Sequence, residues 1–473
     1  MTIELAGARA IMPYFGVGLF VWSALISVTL LSLAAGYWIG GAVADRFPGL
    51  PRLALVVFSA GLWLLLIPLI RVPILEGMAH LGPRGGALVS ALLLFAVPLV
   101  LLGMVTPLTL RLYTRSLAEV GRSGGFLYAL STVGSVLGTL GTGFLLIPNV
   151  EIPTIFALAS SALVLLAIVA FLRTGMRRFA FLLLPWSLLV LVLFLPLTAS
   201  RDGRILYSSQ GYYGEVRIVD LEDRRYLLVD GTIQSGMEKV SRRSVFQVHR
   251  AMAELLTGTF PPGTGARGLF IGLAGGVLPG MLSRAGLRLD VVEIDPRMPA
   301  LAARYFEYRP GPGRVIIADG RVFLRDTRER YDAVILDAFL AETVPFHLLT
   351  RESFGLIARR LTRDGVFMLN LTGFKEGEGS RVSRSIYRTL RQVFSTVQVF
   401  STRPEGNFGN LLYLARRQAV SARSQYAVQL SFRDDGGLPI TDDWNPLEAW
   451  WGLLGVVTRK AVWEALEGEL LLE

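Results

Sequence analysis

The chain has 473 residues, 52% of them hydrophobic, and a formal net charge of +10. That length allows two or three domains, and the composition is too apolar for an ordinary soluble protein, so part of the chain belongs in lipid. Cysteine is absent and there are only three histidines, His80, His249 and His347, which excludes disulfides and thiolate metal sites and leaves no expected metal site. The positive charge would suggest nucleic acid in a soluble protein. Here many arginines flank apolar segments, where they hold helix ends at headgroup level, and no nucleic-acid partner is expected.

From the N-terminus, six stretches are long and apolar enough to span a bilayer, near 14–41, 53–70, 87–110, 126–147, 154–172 and 179–197. The first is too long, and lacks the basic start, for a cleavable signal peptide. None holds an internal Asp, Glu, Lys or Arg, which weakens a transporter reading, since a transported ion usually shows itself as buried charge. The fourth spaces Gly134 and Gly138 four apart with Gly141 following, a pattern that lets another helix backbone approach closely. The loop GGAVADRFP is similar to one in major facilitator transporters, but it reads equally well as a helix cap with an anchoring arginine. In a six-helix arrangement the loops holding Arg46 and Arg52, Arg111, Arg115 and Arg122, and Arg173, Arg177 and Arg178 share one side, opposite the C-terminal half. The positive-inside rule then places that half outside the cytosol, whereas adenosyl cofactors are made inside it.

After Leu197 the pattern becomes charged and alternating. GEVRIVD, a turn at Glu222-Asp223 and RYLLVDG predict a β-hairpin, followed by a helix over 243–256 and the linker TFPPGTGARG. Seven strands are then predicted in LFIGL, LDVVEID, VIIAD, AVILD, VFMLNL, TVQVF and LLYLARR. They alternate with amphipathic segments in a doubly wound α/β pattern. Chemistry gathers at the strand ends. Gly272, Gly275 and Gly276 let a ligand touch the backbone between strand and helix. Glu293 ends the second strand, where a carboxylate accepts from both ribose hydroxyls; Asp319-Gly320 ends the third, placed for an exocyclic adenine amine; Asp337 ends the fourth, towards the crevice. Any one of these acids alone reads more simply as a helix cap, and four strand ends in register favour a nucleoside site. NAD is the rival cofactor, but GLAGGVLPG lacks the third glycine of the dinucleotide fingerprint.

These residues resemble the spermidine synthase family of aminopropyltransferases, most closely a membrane-fused bacterial branch. The resemblance rests on YYGEVRIVD, LLVDGTIQSGM, FIGLAGGVL, VVEIDP, ADGRVFL, YDAVILDAF, HLLTRESF and TDDWNPLE, with GYWIGGAVADR and GGFLYALSTVGSVLG in the membrane half. It implies a helical membrane bundle over 1–200, a β-hairpin and helix cover over 201–262, a Rossmann-like, class I methyltransferase-like catalytic domain over 263–420 and an extension over 421–473. It further implies transfer of an aminopropyl group from decarboxylated S-adenosylmethionine to an amine. Glu293 would hold the ribose, Asp319 and Gly320 the adenine, Gly272, Gly275 and Gln234 the rest of the cofactor, and Asp337 would deprotonate the amine. Tyr213, Gln247 and Glu342 are the candidate acceptor-binding residues.

The chain departs from the family at Ala274 and Leu340, where Asp is usual, and at Phe246-Gln247. Two lost carboxylates remove much of the attraction for a diamine. Glu238, Glu342, Asp442 or Asp443 would have to replace that charge, or the acceptor is another small molecule. Ala274 also fits a methyltransferase using S-adenosylmethionine on a membrane-borne acceptor, and a third reading is a nucleoside sensor without turnover. His347 is expected to cap or pack a helix, His249 to lie at a surface or pocket wall, and Trp444, Trp450 and Trp451 to pack the core or a membrane interface. The partners expected are a small acceptor and the bilayer, with a homo-oligomer left open.

Overall fold

The structure, a computed structural model, describes residues 1–15, 19–114, 116–174, 205–339, 345–418, 422–431 and 436–450. These fall into two compact units, one holding the residues up to Thr174 together with Ser209–Gly214, the other the remainder.

The first unit is helical: Thr2–Phe15, Leu19–Arg46, Leu50–Met78, Gly82–Tyr113, Val120–Leu140 and Ile152–Arg173. Five spans, taking Leu50–Leu81 and Val120–Asn149 at full length, are long and apolar enough to cross a membrane. They correspond to the first five predicted stretches; 179–197 lies outside the described residues. The second span runs past the predicted 53–70 and takes in Arg71 and Glu76 towards its end.

The glycine contact falls elsewhere than the sequence pattern predicted. A Cβ on Gly36 would stand 2.3 Å from the carbonyl oxygen of Val100 and 2.8 Å from Cα of Gly103, so Leu19–Arg46 and Gly82–Tyr113 meet backbone to backbone there. Gly134 and Gly141 face open space, and a Cβ on Gly138 would meet only Thr2 Oγ1, at 3.5 Å. Spacing alone identified glycines able to admit a neighbour, not those that have one.

The second unit holds two sheets. The smaller has the order β1 (Ile205–Ser209), β2 (Val216–Leu221), β3 (Arg224–Val229) and β4 (Thr232–Glu238). The predicted hairpin is β2–β3. Its outer strands were not predicted. On β4 the register slips between Leu227↔Ser235 and Leu228↔Ile233, which makes Gln234 the extra residue of a β-bulge. The helix expected over 243–256 runs instead over Gln247–Thr259 and has no side-chain cap to mark its start.

The larger sheet contains all seven predicted strands, β5 (Arg267–Ile271), β6 (Arg288–Glu293), β7 (Val315–Ile317), β8 (Tyr331–Leu336), β9 (Leu361–Phe374), β10 (Thr396–Ser401) and β11 (Phe408–Arg416), with the short β12 (Val428–Leu430) at one edge. Its order is β12-β10-β11-β9-β8-β5-β6-β7. Strands β5 to β9 pair in parallel, and β11 returns antiparallel to β9. The order reverses direction at β5, which has β6 on one side and β8 on the other, so a crevice opens above its C-terminal end.

Alternate residues feed two apolar layers, one per face. Phe270, Val291, Ala333, Ile335, Val366, Met368, Leu412 and Leu414 enter one layer. Leu269, Ile271, Val292, Val334, Leu336, Phe367 and Leu369 enter the other. Burial on both faces is why these strands read as continuous apolar runs.

Candidate active site

The parity of the strands places the acids. Glu293 continues the row of Leu289 and Val291, and Asp337 the row of Ala333 and Ile335, all on the first apolar layer. Asp319, two residues past Ile317, lies at the same edge of the sheet. Side chains two apart share a face, so the acids take over where each apolar row reaches the crevice.

The first turn is built of backbone. Gly272 has φ +99°, and a Cβ there would lie 2.5 Å from the carbonyl oxygen of Asp337 and 2.8 Å from Cα of Ala338. The turn after β5 is therefore pressed against the exit of β8, and only glycine fits. A Cβ on Gly275 would come 2.7 Å from Ser235 Oγ, so β4, which carries Gln234, closes on the same loop. Ala274 adopts φ +46°, a left-handed conformation that few side chains favour.

Glu293 is buried and grips this loop. Its Oε2 accepts from the amides of Leu273 at 2.7 Å and Ala274 at 3.4 Å, and its Oε1 accepts from Asp295 N at 2.9 Å. Burial pushes its carboxyl above the usual range, although these amides oppose the rise.

Asp319 is the N-cap of the helix Gly320–Asp326, its Oδ1 accepting from the amides of Arg321 and Val322 at 2.9 Å each. His347 Nε2 stands 3.0 Å from Oδ2. Burial raises this carboxyl, but the Val322 amide, His347 and the Arg321 amide outweigh it and hold it below the usual range. The cap reading of Asp319 is thus realised, and His347 braces that carboxylate. A carboxylate offers about four acceptor positions, of which the described residues fill three on Glu293 and three on Asp319, so Glu293 has room for one ribose hydroxyl rather than the two expected, and Asp319 for one amine.

Asp337 differs. Among the described residues its carboxylate takes one hydrogen bond, from Asn370 Nδ2 to Oδ1 at 2.9 Å. Burial pushes its pKa up to about 6, and the Asn370 bond pulls only weakly the other way. Asn370 itself is buried on β9 and was not anticipated. Its signal was a polar residue on the core-facing parity of the apolar run VFMLNL.

The remaining candidates are dispersed. Gln247 is exposed and donates to the carbonyl of Tyr426 at 3.2 Å. Tyr213 lies in the stretch grouped with the helical unit. Glu342, Leu340 and Trp451 lie outside the described residues. Asp442 is ion-paired with Arg321, whose Nη1 donates to Oδ1 at 2.8 Å, so its charge is already answered; Glu238 accepts only from the uncharged Ser241 hydroxyl among the described residues, and Asp443 is exposed. His249, expected at a surface or pocket wall, is buried with Nδ1 2.8 Å from Ser244 Oγ, and burial lowers its pKa to about 4. Trp450 packs on the core with Arg381 over its ring at 4.1 Å, and Trp444 meets it edge-on. A cleft of about 640 Å³ beside the helices Gly320–Asp326 and Arg351–Arg360 takes in Asp319, Arg321, His347 and Asp442, but neither Glu293 nor Asp337.

Comparison with known proteins gives a consistent relationship. Residues 275–405 match the family model of the spermine/spermidine synthase domain. A polyamine aminopropyltransferase of Vibrio vulnificus (strain CMCP6) is 30% identical over 243 residues, covering 48% of this chain and 76% of that protein. A Bifidobacterium longum (strain NCC 2705) protein named "Probable polyamine aminopropyl transferase" is 25% identical over 203 residues, 42% of this chain and 45% of its own length. The solved structure of "a probable spermidine synthase from Corynebacterium glutamicum ATCC 13032" aligns over 50% of this chain and 96% of that one, at 17% identity and a TM-score of 0.45.

Proposed function

Because the chain belongs to the spermidine synthase family of polyamine aminopropyltransferases, we propose that it is a membrane-anchored transferase that moves an aminopropyl group from decarboxylated S-adenosylmethionine to an amine. The observation that carries this reading is Asp337, a carboxylate at the switch point of the sheet with one hydrogen-bond donor among the described residues and a pKa raised to about 6. A base is most effective when its pKa lies near the working pH, and an amine can attack only after losing its extra proton.

The glycine turn supports the fit of a nucleoside: Gly272 and Gly275 leave no room for a side chain but bring backbone to the crevice beside Glu293. In this reading Glu293 orients the ribose with its remaining acceptor position and fixes the loop with the others. Asp319, held in place by its helix cap and by His347, accepts from the adenine amine. The sulfonium supplies an activated carbon and leaves as a neutral thioether. Asp337 takes the extra proton of the ammonium, on the carboxylate oxygen away from Asn370, and the freed lone pair forms the new bond to that carbon as the carbon–sulfur bond breaks. Positioning of the nitrogen against the carbon does much of the rest. Five apolar spans support anchoring in a bilayer.

Ala274 and the pairing of Asp442 with Arg321 point to an acceptor carrying less positive charge than a diamine. Ala274 also favours the second reading, methyl transfer from S-adenosylmethionine, since no carboxylate there repels the carboxylated cofactor. Purified protein incubated with decarboxylated S-adenosylmethionine and a panel of mono- and diamines is expected to release methylthioadenosine. Calorimetry with both cofactors separates the readings: tighter binding of the carboxylated form, with no methylthioadenosine from any amine, overturns aminopropyl transfer.

A further inference from the structure

Three adjacent strands end their core-facing rows in polar side chains that touch in series. On β8 the row Ala333, Ile335 continues to Asp337; on β9 the row Val366, Met368 continues to Asn370; on β11, which runs the other way, Leu414 and Leu412 lead to Asn410 at the same edge. Asn410 Nδ2 donates to Asn370 Oδ1 at 3.1 Å, and Asn370 Nδ2 donates to Asp337 Oδ1 at 2.9 Å. Asn410 Nδ2 also stands 3.4 Å from Thr372 Oγ1.

We propose that Asn370 and Asn410 form an amide ladder that positions Asp337 and sets which of its oxygens takes the proton, Asn410 acting through Asn370 as a remote positioning residue. The ladder has a direction. With Asn410 donating into Asn370 Oδ1, a flipped Asn370 would set its oxygen against the Asp337 carboxylate and its NH2 against that of Asn410, losing two hydrogen bonds and adding two repulsive contacts. Asn370 is therefore held with its NH2 towards Asp337. Oδ1 of Asp337 remains an acceptor in either charge state, and the proton goes to Oδ2. Asn370 is buried, so its amide cannot exchange this role for water without cost.

No charged group among the described residues competes for control of Asp337. The turn after β5 presents the backbone of Gly272, β9 presents Asn370, β11 presents Asn410 beyond it, and the exit of β8 carries Ala338 and Phe339. Among the described residues the ladder is the one side-chain polar influence on Asp337, and it can be varied without replacing the base itself.

This inference rests on Asp337 being the base, so its test has a readout that does not need turnover. In full-length protein, Asp337 is followed by ¹³C NMR of labelled aspartate, assigned by its loss in Asp337→Asn, across pH 4 to 9. Asn410→Asp gives Asn370 an acceptor in place of a donor and is expected to reverse the ladder, raising the Asp337 titration by about one pH unit; in an Asn370→Leu background the same change reports only direct repulsion by the new carboxylate, and an equal shift there overturns the ladder. Asn370→Leu removes the donor altogether and is expected to raise it similarly, while Asn410→Ser, which keeps a donor, stays near wild type. Thermal unfolding confirms that each variant folds, and Asn410→Asp, at a less buried site, serves if Asn370→Leu does not. Where turnover is measurable, the acidic limb of kcat against pH should move with the NMR titration. An unmoved titration in Asn410→Asp and Asn370→Leu overturns the ladder. A shifted titration with no methylthioadenosine from any amine leaves the ladder standing and counts against aminopropyl transfer instead.

Discussion

The carboxylates that follow β7 and β8 sit on one edge of one sheet, yet their surroundings push them in opposite directions. Asp319 is surrounded by donors, two backbone amides and His347, and its carboxyl is held below the usual range. Asp337 has one donor among the described residues and is raised to about 6. A carboxylate whose acceptor positions are filled is held as a fixed anion; one left short of donors keeps an oxygen able to take a proton at neutral pH. Position at a strand end made both acids candidates, and the donors around each separate the directions in which their carboxyls are shifted.

The sharpest way to break this contrast is Asp337→Asn. The amide is nearly the same size but cannot accept a proton, so kcat for methylthioadenosine release should fall by about a hundredfold to ten-thousandfold. A variant retaining more than a tenth of wild-type kcat would remove Asp337 as base. The same substitution should act on stability with a sign set by pH. The folded pKa lies above the unfolded one, so the contribution of Asp337 is fully present below about pH 4 and is lost as pH rises through about 6. The full loss would be about 3 kcal/mol, and the partial exposure of the side chain makes it smaller. Asp337→Asn should therefore unfold at a higher temperature than wild type at pH 7.5 and at a similar one at pH 4.

Next in size is Gly272→Ala. The left-handed φ and the 2.5 Å approach to the Asp337 carbonyl leave the methyl no space, so the turn or the exit of β8 must move. A cost of about 1–3 kcal/mol in unfolding free energy is expected, with a loss of kcat from displacement of Asp337. An alanine variant with wild-type stability would show that this turn is not pinned against β8.

How much of this was legible follows from what leaves a local trace. Strands buried on both faces show as apolar runs, so β5 to β11 and the acids at their ends stand out. β4 does not, because TIQSGME carries a bulge at Gln234 and a glycine that blur its alternation. The bond from His347 to Asp319 joins residues 28 apart, and the Asn410–Asn370 bond residues 40 apart, with no periodicity linking either pair. In the helical unit, spacing pointed to Gly134 and Gly138, whereas the close contact is at Gly36 and Gly103. A glycine's neighbour lies on another helix and is not written beside it. Asn370 was readable in principle, since a polar residue on the core parity of a buried strand demands a partner.

The smallest effect is expected at the tip of β7, and it tests the contrast from the other side. Asp319→Ala removes the side-chain cap of the helix Gly320–Asp326 and should cost about 1 kcal/mol of unfolding free energy. Because the folded pKa of Asp319 is lowered, that contribution is present above its unfolded pKa and lost as pH falls through the folded value, the reverse of Asp337. The variant should thus be less stable than wild type at pH 7, with the difference shrinking as pH falls below the unfolded pKa. If Asp319 holds the adenine only through its one remaining acceptor position, Asp319→Asn, which keeps a capping oxygen, should recover most of the stability. It should still weaken cofactor binding in calorimetry, since the anion is gone. Recovery of both would reduce Asp319 to a helix cap and leave Asp337 as the one strand-end acid with a chemical role.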